Sequence, residues 1–199
     1  MDGFLACSRA QQRFLMSKYP EKRVVHITHH VDLNIPDSDI DHQVFRCGYF
    51  GDLKNALFHN HLRDKVDFVN TNETTSEWIE KFQLYSTHYV LRSRRHSLWN
   101  RKYWAGFKPF LKGFVAARVG AVVLIEKSDE EAISYLGNDY PFICDSRNLS
   151  SVRGALDDME RSFQSERWYR AVDAVKLLKA QIAPAQLRAE LEALFFGAS

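Results

Sequence analysis

The feature that most constrains this chain is an alternation. Short β-branched runs, four to eight residues long in the manner of buried strands, are separated by stretches with helical spacing of apolar residues. The clearest case is 108–125. Pro109 opens a helical pattern, Gly120 ends it, and Ala121, Val122, Val123, Leu124 and Ile125 follow as an uninterrupted apolar run. Strand-length runs are also expected at 23–28, 44–47, 66–69, 88–91 and 141–144. Helices are expected after Ser8, over 53–63, after Thr75 or Ser76, over 109–118 and over 130–136. Ser8 with Gln11 three residues later has the form of a capping box. Such alternation implies parallel βαβ units: an α/β, Rossmann-like open parallel sheet of five to six strands with helices on both faces. The tail reads as helices throughout. Val152, Leu156, Met159 and Phe163 share one stripe, Val172, Val175 and Leu178 a second, and Leu187, Leu191 and Leu194 a third that begins at Pro184.

Size and charge bound the rest. The 199 residues suit one domain, and 27 Lys and Arg against 25 Asp and Glu leave a net charge of +2, too small to imply a polyanionic partner. No apolar run approaches the roughly 20 residues that cross a bilayer. The amino terminus lacks the apolar stretch of a secretory signal. Three widely spaced cysteines, Cys7, Cys47 and Cys144, read as buried free thiols, so a cytoplasmic location is expected. The eight histidines include the clusters His26, His29, His30 and His59, His61, neither with a third ligand at metal-binding spacing, so no metal is expected.

In open parallel sheets the ligand crevice lies at the carboxyl ends of the strands. That rule selects three stretches. At 48–54, Gly48, Phe50 and Gly51 would form a glycine turn letting backbone approach a ligand, with Lys54 in the first turn of a following helix. At 92–112, Arg92 ends a buried strand, where a cation needs an anionic partner. Five Arg or Lys fall within 92–102, interleaved with Trp99 and followed by Tyr103 and Trp104, a pattern single-stranded nucleic acid binders also use. Lys108 and Lys112 stand four apart at a helix start, where positive charge opposes the macrodipole and a bound anion would relieve it. At 126–131, Glu126 and Glu131 could hold sugar hydroxyls, although acidic residues at a helix start are often caps.

Taken in order, these segments resemble the C-terminal, nucleotide-sugar donor-binding lobe of GT-B fold glycosyltransferases of the group-1 kind. The stretch from Leu5 and Ser8 to Val31, Asp32 and Leu33 looks like the family's crossover into that lobe. The stretch 44–51 is similar to its first strand and glycine loop. The stretch 108–123, KPFLKGFVAARVGAVV, resembles its "EAmAcGvPVI" segment, and more closely a subgroup opening KPxTK, with Leu111 in place of Thr. The resemblance implies one domain over 1–199: a crossover segment at 1–43, a core sheet at 44–150 and closing helices at 151–199. It implies a nucleotide-diphosphate sugar as substrate, with no cofactor and no metal requirement. Lys108, Lys112 and Arg92 would take the diphosphate and its developing charge, Glu131 the ribose, and a separate acceptor-binding lobe or a homodimer would complete the enzyme. The family's paired glutamates would fall on Phe107 and Val115, so neither is present. Three functions therefore stand side by side: a glycosyltransferase donor lobe, a non-catalytic interaction or ligand-sensing module on the same fold, and a nucleic-acid module using the basic loop 92–103.

Overall fold

The computed structural model describes residues 3–39, 43–72, 78–93 and 107–196. Five parallel strands form the main sheet: β3 (Cys47–Phe50), β4 (Asp67–Val69), β5 (Thr87–Tyr89), β6 (Val122–Glu126) and β7 (Ile143–Cys144), in the order β4-β3-β5-β6-β7. Ahead of them lies a separate two-stranded parallel sheet, β1 (Gly3–Ala6) and β2 (Arg23–His26), joined by α1 (Arg9–Lys18). The remaining helices are α2 (Trp78–Lys81), α3 (Leu111–Arg118), α4 (Glu130–Leu136), α5 (Leu149–Arg161), α6 (Glu166–Gln181) and α7 (Pro184–Phe196). The arrangement is the expected α/β, Rossmann-like one with a helical carboxyl-terminal tail.

The segment 108–126 shows how sequence makes this architecture. Gly120 adopts φ 73°, a left-handed conformation that suits glycine and ends α3. Ala121 N–H then closes on the Ala116 carbonyl at 2.9 Å, turning the chain directly into β6. Val122, Val123, Leu124 and Ile125 are all buried, the pattern of a central parallel strand covered on both sides. Strand β7 has only two residues, paired with Ile125 and Glu126, so it leaves part of that edge of β6 uncovered. The buried Tyr140 hydroxyl fills the gap, donating to the Val123 carbonyl at 2.8 Å and accepting from its N–H at 3.1 Å. One side chain thus supplies the hydrogen bonds of a missing strand residue.

The helix starts follow their caps. Ser8 Oγ accepts from Gln11 N–H at 3.1 Å, and Gln11 Oε1 accepts from Cys7 N–H at 2.8 Å, so the pair caps α1 reciprocally. Asn148 and Ser165 cap α5 and α6 one way only, their side-chain oxygens accepting from Ser151 and Trp168 N–H. On α5, Val152, Leu156 and Met159 are buried, and on α6 Val175 and Leu178. The α7 stripe is only partly covered: Leu194 is buried but Leu191 is exposed. Among the described residues no helix is long and apolar enough to cross a membrane. Cys47 and Cys144 are buried, Cys7 is half-buried, and all three thiols are free.

Three expectations are corrected. The helix expected over 53–63 is two short 3₁₀ turns, Leu53–Asn55 and His59–His61. Phe58 sits in the left-handed region between them, and Ala56 bridges to Arg92, pulling the chain onto the end of β5. The strand expected at 44–47 instead runs through Cys47–Phe50. Gly48 and Phe50 are therefore strand residues, and only Gly51 begins the turn. Finally, the crossover segment contains β1, which carried no strand signal of its own in Gly-Phe-Leu-Ala. The cap proposed at Thr75 or Ser76 lies outside the described residues.

The two sheets face each other by their carboxyl ends. At the end of β1, Cys7 Sγ reaches the Phe107 carbonyl at 3.6 Å, and Phe14 of α1 packs on Phe107 with ring centroids 5.0 Å apart. Glu131, at the start of α4, is buried and accepts the Arg9 N–H of α1 at 3.0 Å.

Candidate functional site

The chain leaves β3 for β4 on one side and returns to β5 on the other. The connections at the carboxyl ends of β3 and β5 therefore diverge, which is where an open parallel sheet forms its crevice. A cleft of about 310 Å³ lies there. Gly48 and Phe50 of β3, Tyr89, Val90 and Arg92 at the end of β5, and Leu111, Lys112 and Val115 of α3 form one part of its wall. Thr71, Trp78, Phe82, His88 and Ile35 complete it.

Lys112 stands in the first turn of α3 and points into the sheet rather than into solvent. Its ammonium donates to the Phe50 carbonyl and lies 4.1 Å from the centroid of the Tyr49 ring. Gly51 makes this position possible. A Cβ there would come within 2.6 Å of Lys112 Nζ, and the φ of 143° also favours glycine. Burial, and then the nearby Arg92 guanidinium, pull the Lys112 pKa down to about 7. Arg92 is half-buried and donates from Nη2 to the Pro109 carbonyl at 3.3 Å. Burial lowers its pKa too, opposed by the field of Asp129. Tyr49 beneath the pair has its phenol pushed up to about 12, chiefly by burial, and donates to the Asp52 carbonyl at 2.8 Å. Two basic groups thus share a largely apolar cleft, and Arg92 raises the cost of charging Lys112. A bound anion would relieve both, and the site can stabilise negative charge developing within it.

The other end of the cleft is aromatic. The Phe50 ring lies 4.4 Å from that of Phe82 and 5.0 Å from that of His88, centroid to centroid, and Trp78 meets Phe82 edge-on at 5.4 Å. His88 is buried, with Nε2 3.2 Å from the Phe82 carbonyl.

Of the residues selected from sequence, the structure brings Arg92, Lys112, Gly48 and Phe50 to this cleft, with Gly51 beside the Lys112 ammonium. Lys108 and Lys112 do not form a pair. Helix α3 begins at Leu111, so Lys108 lies outside it and is exposed. Lys54 is exposed, in a 3₁₀ turn capped by Asp52, with no helix amino terminus beside it. Glu126 ends β6, partly exposed, and accepts from Ser128 Oγ at 3.2 Å. Glu131 does not line the cleft. Its Oε2 holds the Arg9 N–H, and its Oε1 lies 4.0 Å from His26 Nε2. Burial raises the Glu131 carboxyl and lowers the His26 imidazole. The basic and aromatic stretch beyond Arg92, over 94–106, lies outside the described residues. Among those described, no group of three or more His, Cys, Asp or Glu could hold a metal ion. Sequence reasoning missed Tyr49, Trp78, Phe82 and His88. The signal for Trp78 and Phe82 was a Trp four residues before a Phe, shortly beyond a strand end, which reads equally as the inner face of a helix.

No protein-family model matches the chain, and no curated protein sequence is similar to it. Solved structures do resemble it. A glycosyltransferase from Rickettsia africae matches 100% of the chain with a TM-score of 0.63 at 12% identity. HepE from Anabaena, in complex with UDP, matches 96% with a TM-score of 0.62 at 11% identity. A variant of TarM from S. aureus, in complex with Fondaparinux, alpha-GlcNAc-glycerol and UDP, matches 98% with a TM-score of 0.59 at 9% identity. The chain spans 64%, 62% and 44% of those three proteins, less than two thirds of each. Identities this low speak to fold alone, and the fold is that of a GT-B-like glycosyltransferase lobe.

Proposed function

We propose that this lobe binds the nucleotide-diphosphate sugar donor of a glycosyl transfer. The observation that carries the reading is the Lys112–Arg92 pair, two neighbouring cations in an apolar cleft at the point where the sheet's connections diverge. The diphosphate sits against these two, and Gly51 leaves Lys112 room to meet it. As the sugar–phosphate bond breaks, negative charge collects on the departing diphosphate, and Lys112 and Arg92 stabilise it with no requirement for a metal. Lys108, exposed just ahead of α3, provides a further positive charge at the rim, and Glu126 a carboxylate for sugar hydroxyls. UDP in two of the structural neighbours supports a nucleotide ligand. The acceptor site comes from a separate lobe or a second copy. Three free cysteines fit a reducing, cytoplasmic setting.

The test is thermal stability against a panel of UDP-, GDP- and ADP-sugars. At least one should raise the melting temperature, and Lys112→Ala should abolish the rise. No shift with any member of the panel refutes the reading.

A second reading, binding without transfer, is favoured by Val115. This residue lines the cleft at a position where the resembled family carries a glutamate, and it brings no carboxylate. Measured transfer or hydrolysis of a nucleotide sugar by the chain, alone or with an acceptor lobe, excludes that second reading.

A further inference from the structure

We propose that Lys112 is a site of reversible modification by carbon dioxide: its amine adds CO2 to form a carbamate, and the Arg92 guanidinium in the same cleft stabilises the new carboxylate. The proposal acts on the same two side chains as the donor-lobe reading but does not depend on it.

The surroundings of the amine favour this chemistry. Lys112 Nζ is held at one point, by donation to the Phe50 carbonyl, and lies 4.1 Å from the centroid of the Tyr49 ring. The charge that acts on it is the positive one of Arg92. Asp129, whose field reaches Arg92, is held at the start of α4, where its Oδ1 accepts the Ala132 N–H at 3.0 Å. A lysine that is desolvated, or beside another cation, gives up its proton and becomes a nucleophile. Lys112 meets both conditions, and its pKa falls to about 7. At about pH 7.4 most copies then carry a free amine, against about one in a thousand for an ordinary lysine.

The cleft also selects the electrophile. Its wall beside the amine includes Phe50, Phe82, Leu111 and Val115, and its volume is about 310 Å³. Carbon dioxide is small, uncharged and apolar, so it enters such a space without the desolvation cost that a charged reagent carries. The lone pair of Nζ bonds to the carbon, one C–O π pair moves onto oxygen, and the proton lost from nitrogen passes to water. Amine and CO2 thus become a carbamate anion and one released proton. The product gives Arg92 an anionic partner, and a paired buried charge costs less than an unpaired one. The N–H that remains on the carbamate keeps the donation to the Phe50 carbonyl. A negative charge at this point repels a diphosphate, so CO2 and a diphosphate exclude one another.

The experiment incubates the whole chain with ¹³C-labelled CO2 and bicarbonate at about pH 7.4, traps carbamates by alkylation with triethyloxonium, and locates them by mass spectrometry. Label on Lys112 should saturate with CO2 and exceed that on the exposed Lys54, Lys108 and Lys176 by about tenfold or more. Arg92→Gln should lower it by about tenfold, while Arg92→Lys keeps most of it. Label absent from Lys112, or spread evenly over the exposed lysines, overturns the proposal on the unaltered chain alone. Undiminished label in a folded Arg92→Gln protein overturns it as well, since the carboxylate would then have no need of the guanidinium. Saturating pyrophosphate should suppress the label. Label on Lys112 that neither pyrophosphate nor UDP suppresses upholds the carbamate and refutes diphosphate binding there, so the two readings fail separately.

Discussion

Lys112 should take up a proton when a diphosphate binds, and the amount is set by its surroundings. Its pKa of about 7 means that near pH 8 only about one tenth of the unliganded molecules carry the ammonium charge. A diphosphate beside it offsets first the cost of burying the charge and then the repulsion of Arg92, and returns the group toward the ordinary lysine value of about 10.4. The difference is close to ~0.9 proton per site at about pH 8, falling to ~0.1 at about pH 6. The ligand's own phosphates are fully ionised at the higher pH and do not blur the reading. Calorimetric titration with UDP in two buffers of different ionisation enthalpy gives the number as the slope of observed enthalpy against buffer enthalpy. Affinity should also fall about tenfold for each pH unit above 7. A binding enthalpy independent of buffer at pH 8 would refute the argument, because it would mean that Lys112 is already charged in the empty cleft. Replacement by Met, which keeps the stem and removes the amine, should abolish the uptake.

The same shift has a consequence for stability without ligand. A lysine with its folded pKa below its unfolded value binds fewer protons folded than unfolded between about pH 7 and 10.4. Stability should therefore rise with pH through that window, by at most about 4–5 kcal/mol and by less for the solvent that still reaches the side chain; Lys112→Met should flatten the rise in chemical denaturation curves. Tyr140→Phe removes the hydroxyl that serves both Val123 backbone groups, and should cost about 2–4 kcal/mol in urea unfolding; a cost below about 0.5 kcal/mol would mean those groups find other partners. Gly48→Ala puts a Cβ 2.7 Å from the Tyr85 ring in the middle of β3, and should destabilise by about 1–3 kcal/mol while lowering nucleotide affinity. Glu131→Ala removes the carboxylate that receives the Arg9 N–H, and should speed hydrogen exchange in β1 and α1 with little change in β6. Uniform acceleration across both would show that the two sheets open together.

The parts of the fold legible in the sequence were those encoded by neighbours along the chain. Helix α4 lies over 130–136 as expected, because Asp129 can cap it locally and Gly137 can end it at φ 90°. The β6 run was legible because five apolar residues in a row leave a helix no polar face. What escaped was decided at a distance. Residues 53–63 carry spacing compatible with a helix, but Ala56 is bridged to Arg92, so tertiary pairing overrode local preference. Strand β1 is visible only through its pairing with β2. At the site, only Lys112 of the pair Lys108 and Lys112 lines the cleft. Four-residue spacing places two side chains together only if both lie in the helix, and α3 starts three residues after Lys108. Glu131 looked like a ligand group because it is an acid after a strand, and its actual neighbour, the Arg9 N–H, is 122 positions away along the chain.

The group that holds Lys112 in place is a peptide carbonyl, that of Phe50. No substitution at position 50 deletes a main-chain oxygen. A lineage can exchange the side chains of β3 one after another and keep this acceptor, provided the strand stays in register and position 51 stays glycine. Divergence measured letter by letter therefore overstates how fast such a cleft changes: its anchoring point is inherited with the backbone path, and the heritable constraint falls on a glycine that touches the ammonium only by leaving space for it.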